Sequence, residues 1–362
     1  MKRRHFEALR PVCPLCRSRN LPDSPLAVGL EAVADGDTLL QGALHCTSQA
    51  CQCEYPVIDG IPLLVPQVRS YVANNIYHLT ARRDLAAEVE AMLGDCGPGS
   101  AVDATRLHLS SYAWDHYAEF DPDEPRGDLA PGSVARVLDR GLKLAGDMPA
   151  GPVLDAGCAA GRSTFELGRR CDGLVLGVDL NFSLLGLAAD VLRRGVVTYP
   201  RRRVGLVYDR REFAVPFRDA ANVDFWVCDA TALPFPAGTF AAAASLNVLD
   251  CVPSPLDLLG SLAGVLRPGA PLVLSTPYDW SGAVTAPPAW VGGHSDRSPG
   301  KGAAEPVLRA LLTPGGHPAS VAGLRLAAED AAVPWHVRVH DRSVTAYSVH
   351  LVTARAVGPV EQ

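Results

Sequence analysis

At 362 residues the chain has room for about two domains. Hydrophobic residues make up 48% and charged residues 20%, an ordinary globular composition. The net charge of −6 argues against a polyanion binder, since phosphate backbones are held mainly by excess Lys and Arg. No stretch approaches the roughly 18 uninterrupted apolar residues of a membrane span.

The start, MKRRHFEALRPVCPLC, is basic but lacks the apolar run of a signal peptide, so the chain is expected to be cytoplasmic. Its ten cysteines then read as thiols and metal ligands rather than disulfides. Five of them fall between positions 13 and 53. Cys13 and Cys16 form one close pair and Cys46 and Cys51 another, with Cys53 left over. Each short loop can turn two thiolates toward one tetrahedral Zn²⁺, and four cysteine ligands leave no position for a reacting water. The expected zinc is therefore structural. Asp59-Gly60 is a turn signal between two short β-type runs in YPVIDGIPLLVP.

From Tyr71 to about Leu144 the pattern is helical. RRDLAAEVEAMLG has apolar residues at helical spacing with Gly94 as its stop, and SSYAWDHYAEF starts on serines suited to an N-cap. Its Tyr112, Trp114 and Tyr117 are placed either to close over a ligand or to pack. SVARVLDRGLKLAG is a further amphipathic helix beginning at Ser133. After Gly151, short apolar runs alternate with helical stretches, which implies βαβ units and a mostly parallel sheet. An arm at 196–222 interrupts the rhythm, 281–306 reads as a Gly/Pro-rich lid loop, and the chain ends in a hairpin. Boundaries follow at 1–68, 69–148 and 149–357.

VLDAGCAAGRS carries the most information. A strand ends at Asp155, a Gly-rich turn follows, and a helix starts near Ser163. Glycines allow close approach of a ligand, and the helix start offers free N–H groups. The dinucleotide pattern Gly-x-Gly-x-x-Gly fails, because Ala159 and Arg162 occupy its second and third glycine positions. Asp179 closes the next apolar run, where a carboxylate can accept both hydroxyls of a ribose. Cys228-Asp229-Ala230 closes the third, and ASLNVLD the fourth.

These ordered landmarks resemble class I S-adenosylmethionine-dependent methyltransferases. The resemblance implies an α/β, Rossmann-like seven-stranded sheet. It implies that Asp155, Gly157, Ala159 and Gly161 receive the amino acid end of S-adenosylmethionine, that Asp179 and Leu180 hold its ribose, and that Asp229 and Ala230 meet its adenine. CPLC…CTSQACQCEYPVIDGIPLLV resembles the zinc-ribbon-like domain of tRNA and protein methyltransferase activator subunits, which implies a scaffold or a protein-partner role. LDAGCAAGRSTFEL, SLNVLDCVPSP, STPYDWSGAVTAPPAWVGG and PWHVRVHDR resemble the methyltransferase modules of ovothiol biosynthesis and their carnosine N-methyltransferase-like relatives. That likeness implies a small substrate methylated on an imidazole nitrogen. It implies that Asn247 contacts both cofactor and substrate, with Asp250 and Tyr278 beside it in a catalytic role. Asp279 and Trp280 would hold the substrate, and Trp290 would sit on the lid. Cys251 stands where that group usually has an Arg.

Arg201, Arg202, Arg203, Arg210 and Arg211, interleaved with Tyr199 and Tyr208, form one basic cluster. Such a cluster can stack on RNA bases or pair with nearby acids such as Asp209 and Glu212. The negative net charge favours a small-molecule substrate. A tRNA or protein methyltransferase docking through the zinc domain, and a non-catalytic cofactor-binding scaffold, are the alternatives.

Overall fold

The computed structural model describes residues 1–80, 100–125 and 129–358. The N-terminal unit has two short helices, α1 (Arg3–Leu9) and α2 (Pro14–Ser18), and four strands: β1 (Leu26–Asp35), β2 (Thr38–Cys46), β3 (Glu54–Ile58) and β4 (Ile61–Leu64). These strands form an antiparallel meander. The β3–β4 turn is Asp59-Gly60, with φ of 53° and 81°. Positive φ at both central residues suits the right-handed twist of a hairpin. Strand β4 is buried along its whole length, which an apolar IPLL run achieves only inside a covered sheet.

Helices α3 (Val68–Thr80), α4 (Ala101–Tyr117) and α5 (Ser133–Ala145) follow. The helix expected over residues 82–94 lies outside the described residues. Helix α4 starts ten residues before the serines expected to cap it. Ser100 is its N-cap, with its Oγ accepting from Asp103 N at 3.3 Å. Ser110 and Ser111 are interior to the helix.

The α/β part runs β5 (Val153–Ala156), α6 (Arg162–Gly168), β6 (Val175–Asp179), α7 (Phe182–Arg194), then β7 (Val196–Val204) and β8 (Val207–Ala214). It continues through β9 (Val223–Cys228), β10 (Ala242–Leu246), α8 (Pro255–Val265) and β11 (Pro271–Thr276). Helix α9 (Ala304–Leu311) and the long hairpin β12 (Leu324–His340) and β13 (Ser343–Ala356) complete it. The expected arm is the β7–β8 hairpin, a two-stranded sheet of its own.

The main sheet has the order β1-β2-β3-β4-β9-β6-β5-β10-β11-β13-β12. Its last seven strands are the expected α/β sheet, with β13 antiparallel to β11. The count of seven is nevertheless corrected to an 11-stranded sheet. Strand β4 pairs in parallel with β9, Leu63 against Val227 and Leu64 against Cys228. The N-terminal meander thus extends the sheet edge, and Leu9, Tyr55 and Leu63 share one hydrophobic core with Val227 and Leu185. No helix among the described residues is long and apolar enough to cross a membrane.

Candidate functional site

The C-terminal ends of β5, β6 and β9 meet at one edge of the sheet, the usual ligand crevice of an open α/β fold. The turn after β5 needs its glycines. Gly157 has φ +81°, and a Cβ there would come 2.2 Å from Val248 Cγ2. Gly161 has φ +86°, and a Cβ would come 2.7 Å from Ala188 Cβ and from Phe225. Ala159 takes the same left-handed region at φ 47°. It is held there by Asp179, whose Oδ2 accepts from Ala159 N at 2.9 Å while Oδ1 accepts from Asn181 N at 2.8 Å. Asn181 in turn caps α7, accepting from Ser183 N and Leu184 N.

Asp155 is buried one layer behind this turn. Its Oδ2 accepts from Ser163 Oγ at 2.6 Å and Thr164 Oγ1 at 2.7 Å. Burial pushes its carboxyl up to about 6, against those two hydrogen bonds. Asp229 directly follows β9 and accepts from Thr231 N and Oγ1 at 2.9 and 2.7 Å.

A cavity of about 400 Å³ opens over these strand ends, within the usual range for small-molecule sites. Gly157, Ala159, Asp179, Leu180, Asp229 and Ala230 line its first half. It continues over β10 and β11, where Asn247, Asp250 and Asp279 line the second half. Asn247 is fixed in the left-handed region at φ 55°, with Oδ1 accepting from Ser275 Oγ at 2.8 Å. Asp250 is buried; its Oδ1 accepts from Thr276 Oγ1 at 3.2 Å and its Oδ2 from Asp279 N at 2.7 Å. Burial raises its carboxyl pKa. Its visible work is to brace the turn that carries Asp279.

Five of the expected site residues do not line the cavity: Asp155, Gly161, Tyr278, Trp280 and Trp290. The Tyr278 hydroxyl is hydrogen-bonded to His350 Nδ1 at 2.7 Å, and His350 Nε2 to Glu329 Oε2 at 3.1 Å. Trp280 and Trp290 stack with centroids 6.1 Å apart and planes 12° off parallel. Trp290 Nε1 donates to Thr285 O at 2.7 Å, so the pair pins the 281–306 segment to itself.

Several wall residues carried little sequence signal. Tyr112 of α4 lines the cavity. It is 42% exposed and forms part of the open side of the wall. The aromatic run of that helix was the only pointer to it, and its neighbours pack instead. Trp114 Nε1 donates to Glu124, and the Tyr117 hydroxyl donates to Ala160 O at 2.6 Å. Trp335 on β12, inside the PWHVRVHDR phrase, and Tyr347 on β13 arrive from the far end of the chain. His116 also lines the wall; its Nδ1 accepts from Arg162 N at 3.1 Å, and burial depresses its pKa to about 3.

A second centre lies in the N-terminal unit. The Sγ atoms of Cys13, Cys16, Cys46 and Cys51 all fall within 4.8 Å of one another. Cys13 and Cys51 are 3.8 Å apart, and Cys16 and Cys46 3.9 Å. A tetrahedron with Zn–S bonds of about 2.3 Å has edges of about 3.8 Å, so the donor set fits zinc. Cys53 stands outside the group.

Three of the five clustered arginines on β7–β8 pair with acids. Arg201 pairs with Asp341 at 3.0 Å, and Arg203 with Asp209 at 2.7 Å. Arg211 pairs with Asp121 and Asp123, while Arg202 Nε donates to Gly205 O at 2.7 Å. Glu212, an expected partner, instead accepts from Thr198 Oγ1 at 3.3 Å.

Residues 154–274 match the family described as the methyltransferase domain. The chain is therefore an enzyme that carries a methyltransferase domain over this third of its length. Among curated proteins no relative matches it. Its fold is similar to phosphoethanolamine N-methyltransferase 2 of Haemonchus contortus, at 17% identity and a TM-score of 0.30. That match covers 39% of this chain and only 28% of the worm protein, little more than a quarter of its length. It is similar also to an S-adenosylmethionine-dependent methyltransferase of Methanosarcina mazei, at 19% identity and a TM-score of 0.38, covering 60% of this chain and 96% of that one. A complex of the Haloferax volcanii Trm112 methyltransferase activator with a methyltransferase is matched at 14% identity and a TM-score of 0.37, covering 65% of this chain and 100% of that one.

Proposed function

We propose that the enzyme transfers a methyl group from S-adenosylmethionine to a nitrogen of a small molecule, with an imidazole among the candidate acceptors. One observation carries this reading. A single cavity runs from the ends of β5, β6 and β9 to those of β10, β11 and β13, so donor and acceptor share one chamber.

In the donor half, Gly157, Ala159 and Gly161 shape the turn on which the amino acid end of the cofactor rests, with Asp155 behind them. Asp179 and Leu180 take the ribose, and Asp229 and Ala230 the adenine. The bound cofactor supplies a sulfonium methyl. The acceptor nitrogen's lone pair forms the new N–C bond as the S–C bond breaks, leaving S-adenosylhomocysteine. Any proton carried by that nitrogen leaves to water.

The protein's part is mainly positioning. Asn247, rigid at the junction, orients donor and acceptor; Asp250 holds the Asp279 turn; Asp279 binds the acceptor. Tyr278, Trp280 and Trp290 act from behind, keeping the segment after β11 in place. The four-cysteine centre binds zinc and stabilises the meander that extends the sheet at β9. The division into residues 1–68, 69–148 and 149–357 then separates a zinc unit, a helical cap and the catalytic unit. The pairing of Arg201, Arg203 and Arg211 with acids favours a small acceptor over RNA.

The test is S-adenosylhomocysteine release from the zinc-loaded enzyme, supplied with small imidazoles and amines on one side and bulk tRNA on the other. Turnover with the small nitrogen compounds supports the proposal. Turnover with tRNA alone overturns it.

A further inference from the structure

The acceptor half of the cavity has a one-sided charge. Asp250 and Asp279 line it, and no Lys or Arg does so among the described residues. The two histidines on the wall do not restore a balance. His116 is buried with Nδ1 accepting a backbone hydrogen bond, and burial lowers the pKa of His108 as well. The guanidinium of Arg162, whose backbone N–H meets His116, is already taken by Glu119 and by Glu166 at 3.0 Å. Asp279 is exposed at the mouth, and one of its oxygens accepts from the Tyr347 hydroxyl at 3.0 Å. Three aromatic residues, Tyr112, Trp335 and Tyr347, line the same space.

An acid at the mouth with aromatic faces around it is the chemistry that receives a cation. The same wall disfavours an anion, which would face two carboxylates with no counter-charge. We infer that the methyl acceptor is a small amine that carries a cationic group and bears no phosphate or carboxylate. The cationic group sits against Asp279 and the aromatic rings. The nucleophilic nitrogen, in its neutral form, lies deeper, toward Asn247. An imidazole with a cationic side chain and no carboxylate fits this description better than the parent amino acid does, and a simple aryl amine shares only its cationic end. The inference rests on the methyltransferase reading of the cavity and sharpens its substrate class.

The experiment uses the full chain loaded with S-adenosylhomocysteine, whose binding is measured first by calorimetry. Matched ligands are then titrated: histamine against imidazoleacetate, and tyramine against hydroxyphenylacetate. The amines are expected to bind on the order of tenfold more tightly than their acid counterparts. Asp279→Asn is expected to remove most of that preference, and its binding of S-adenosylhomocysteine reports that the variant is folded. A protein that binds S-adenosylhomocysteine but prefers the acids, shows no preference, or binds none of the amines overturns the inference alone. A folded protein that does not bind S-adenosylhomocysteine overturns the donor-site reading beneath it.

Discussion

Asp179 and Ala159 are joined by one hydrogen bond, Ala159 N to Asp179 Oδ2 at 2.9 Å, that ties the end of β6 to the turn after β5. The bond fixes a non-glycine residue at φ 47°, a conformation that costs an L-residue roughly 1 kcal/mol. It also fixes where the carboxylate points, since the second oxygen is held by Asn181 N. Two walls of the donor half are thereby set by one side chain.

The turn itself has no room for a side chain at Gly157. Gly157→Ala forces either Val248 or the turn to move, because the added Cβ would lie 2.2 Å from Val248 Cγ2. The expected outcome is at least a tenfold loss of S-adenosylmethionine affinity, about 1.4 kcal/mol or more. Zinc content should be unchanged, since the metal ligands lie in another unit. Calorimetry with metal analysis checks both.

Zinc content separates Cys51 from Cys53. Ser replacements at Cys16, Cys46 or Cys51 are expected to lose the metal and to lower Tm by on the order of 10 °C. Cys53→Ser should keep the metal, because Cys53 lies outside the Sγ cluster. Elemental analysis of purified variants, with a thermal scan before and after chelation, decides it.

Asp155 links stability to pH. Its carboxyl sits at about 6 in the fold against 3.8 as the ordinary value. The folded state therefore holds the proton over a window in which the unfolded chain has released it. Stability should fall as pH rises from about 4 to about 6, by about 2–3 kcal/mol from this group. Asp155→Asn should flatten that part of the curve. Denaturant unfolding of both proteins across the window measures it, and parallel curves would contradict the assignment.

The hairpin arginines differ in burial, and so should their effects. Asp121 is fully buried at the side chain, and Arg211 is only 20% exposed. Arg211→Ala leaves that carboxylate without its guanidinium partner and should cost about 3 kcal/mol. Arg203 and Asp209 are 50% and 43% exposed, so Arg203→Ala should cost less than about 1 kcal/mol. Urea unfolding of the two variants compares them.

The strand–turn–helix at VLDAG, the Asp59-Gly60 hairpin, the cysteine pairs and the arm were readable because each depends on local spacing. The seven-strand count failed because pairing of β4 with β9 is a long-range event between two apolar runs that look alike in sequence. The cavity wall was half legible. Asp179, Asp229 and Asn247 stand where strand ends predict, but Tyr347 and Trp335 reach the site only through the folding back of β12 and β13. Trp280 and Trp290 were expected at the substrate and on the lid from the resemblance alone. The two rings stack on each other at 6.1 Å and do not line the cavity. Ser100 with Asp103 at the start of α4 was a capping pattern, and it was masked by two more conspicuous serines further along.

The central claim is that the edge formed by β5, β6 and β9 holds S-adenosylmethionine through Asp179. Calorimetric titration of S-adenosylmethionine into the zinc-loaded protein, beside Asp179→Ala, tests it most directly. The account predicts binding in the micromolar range that the variant weakens by at least about 2 kcal/mol, roughly thirtyfold. Absence of binding to the folded, zinc-loaded chain, or equal binding by the variant, would contradict it.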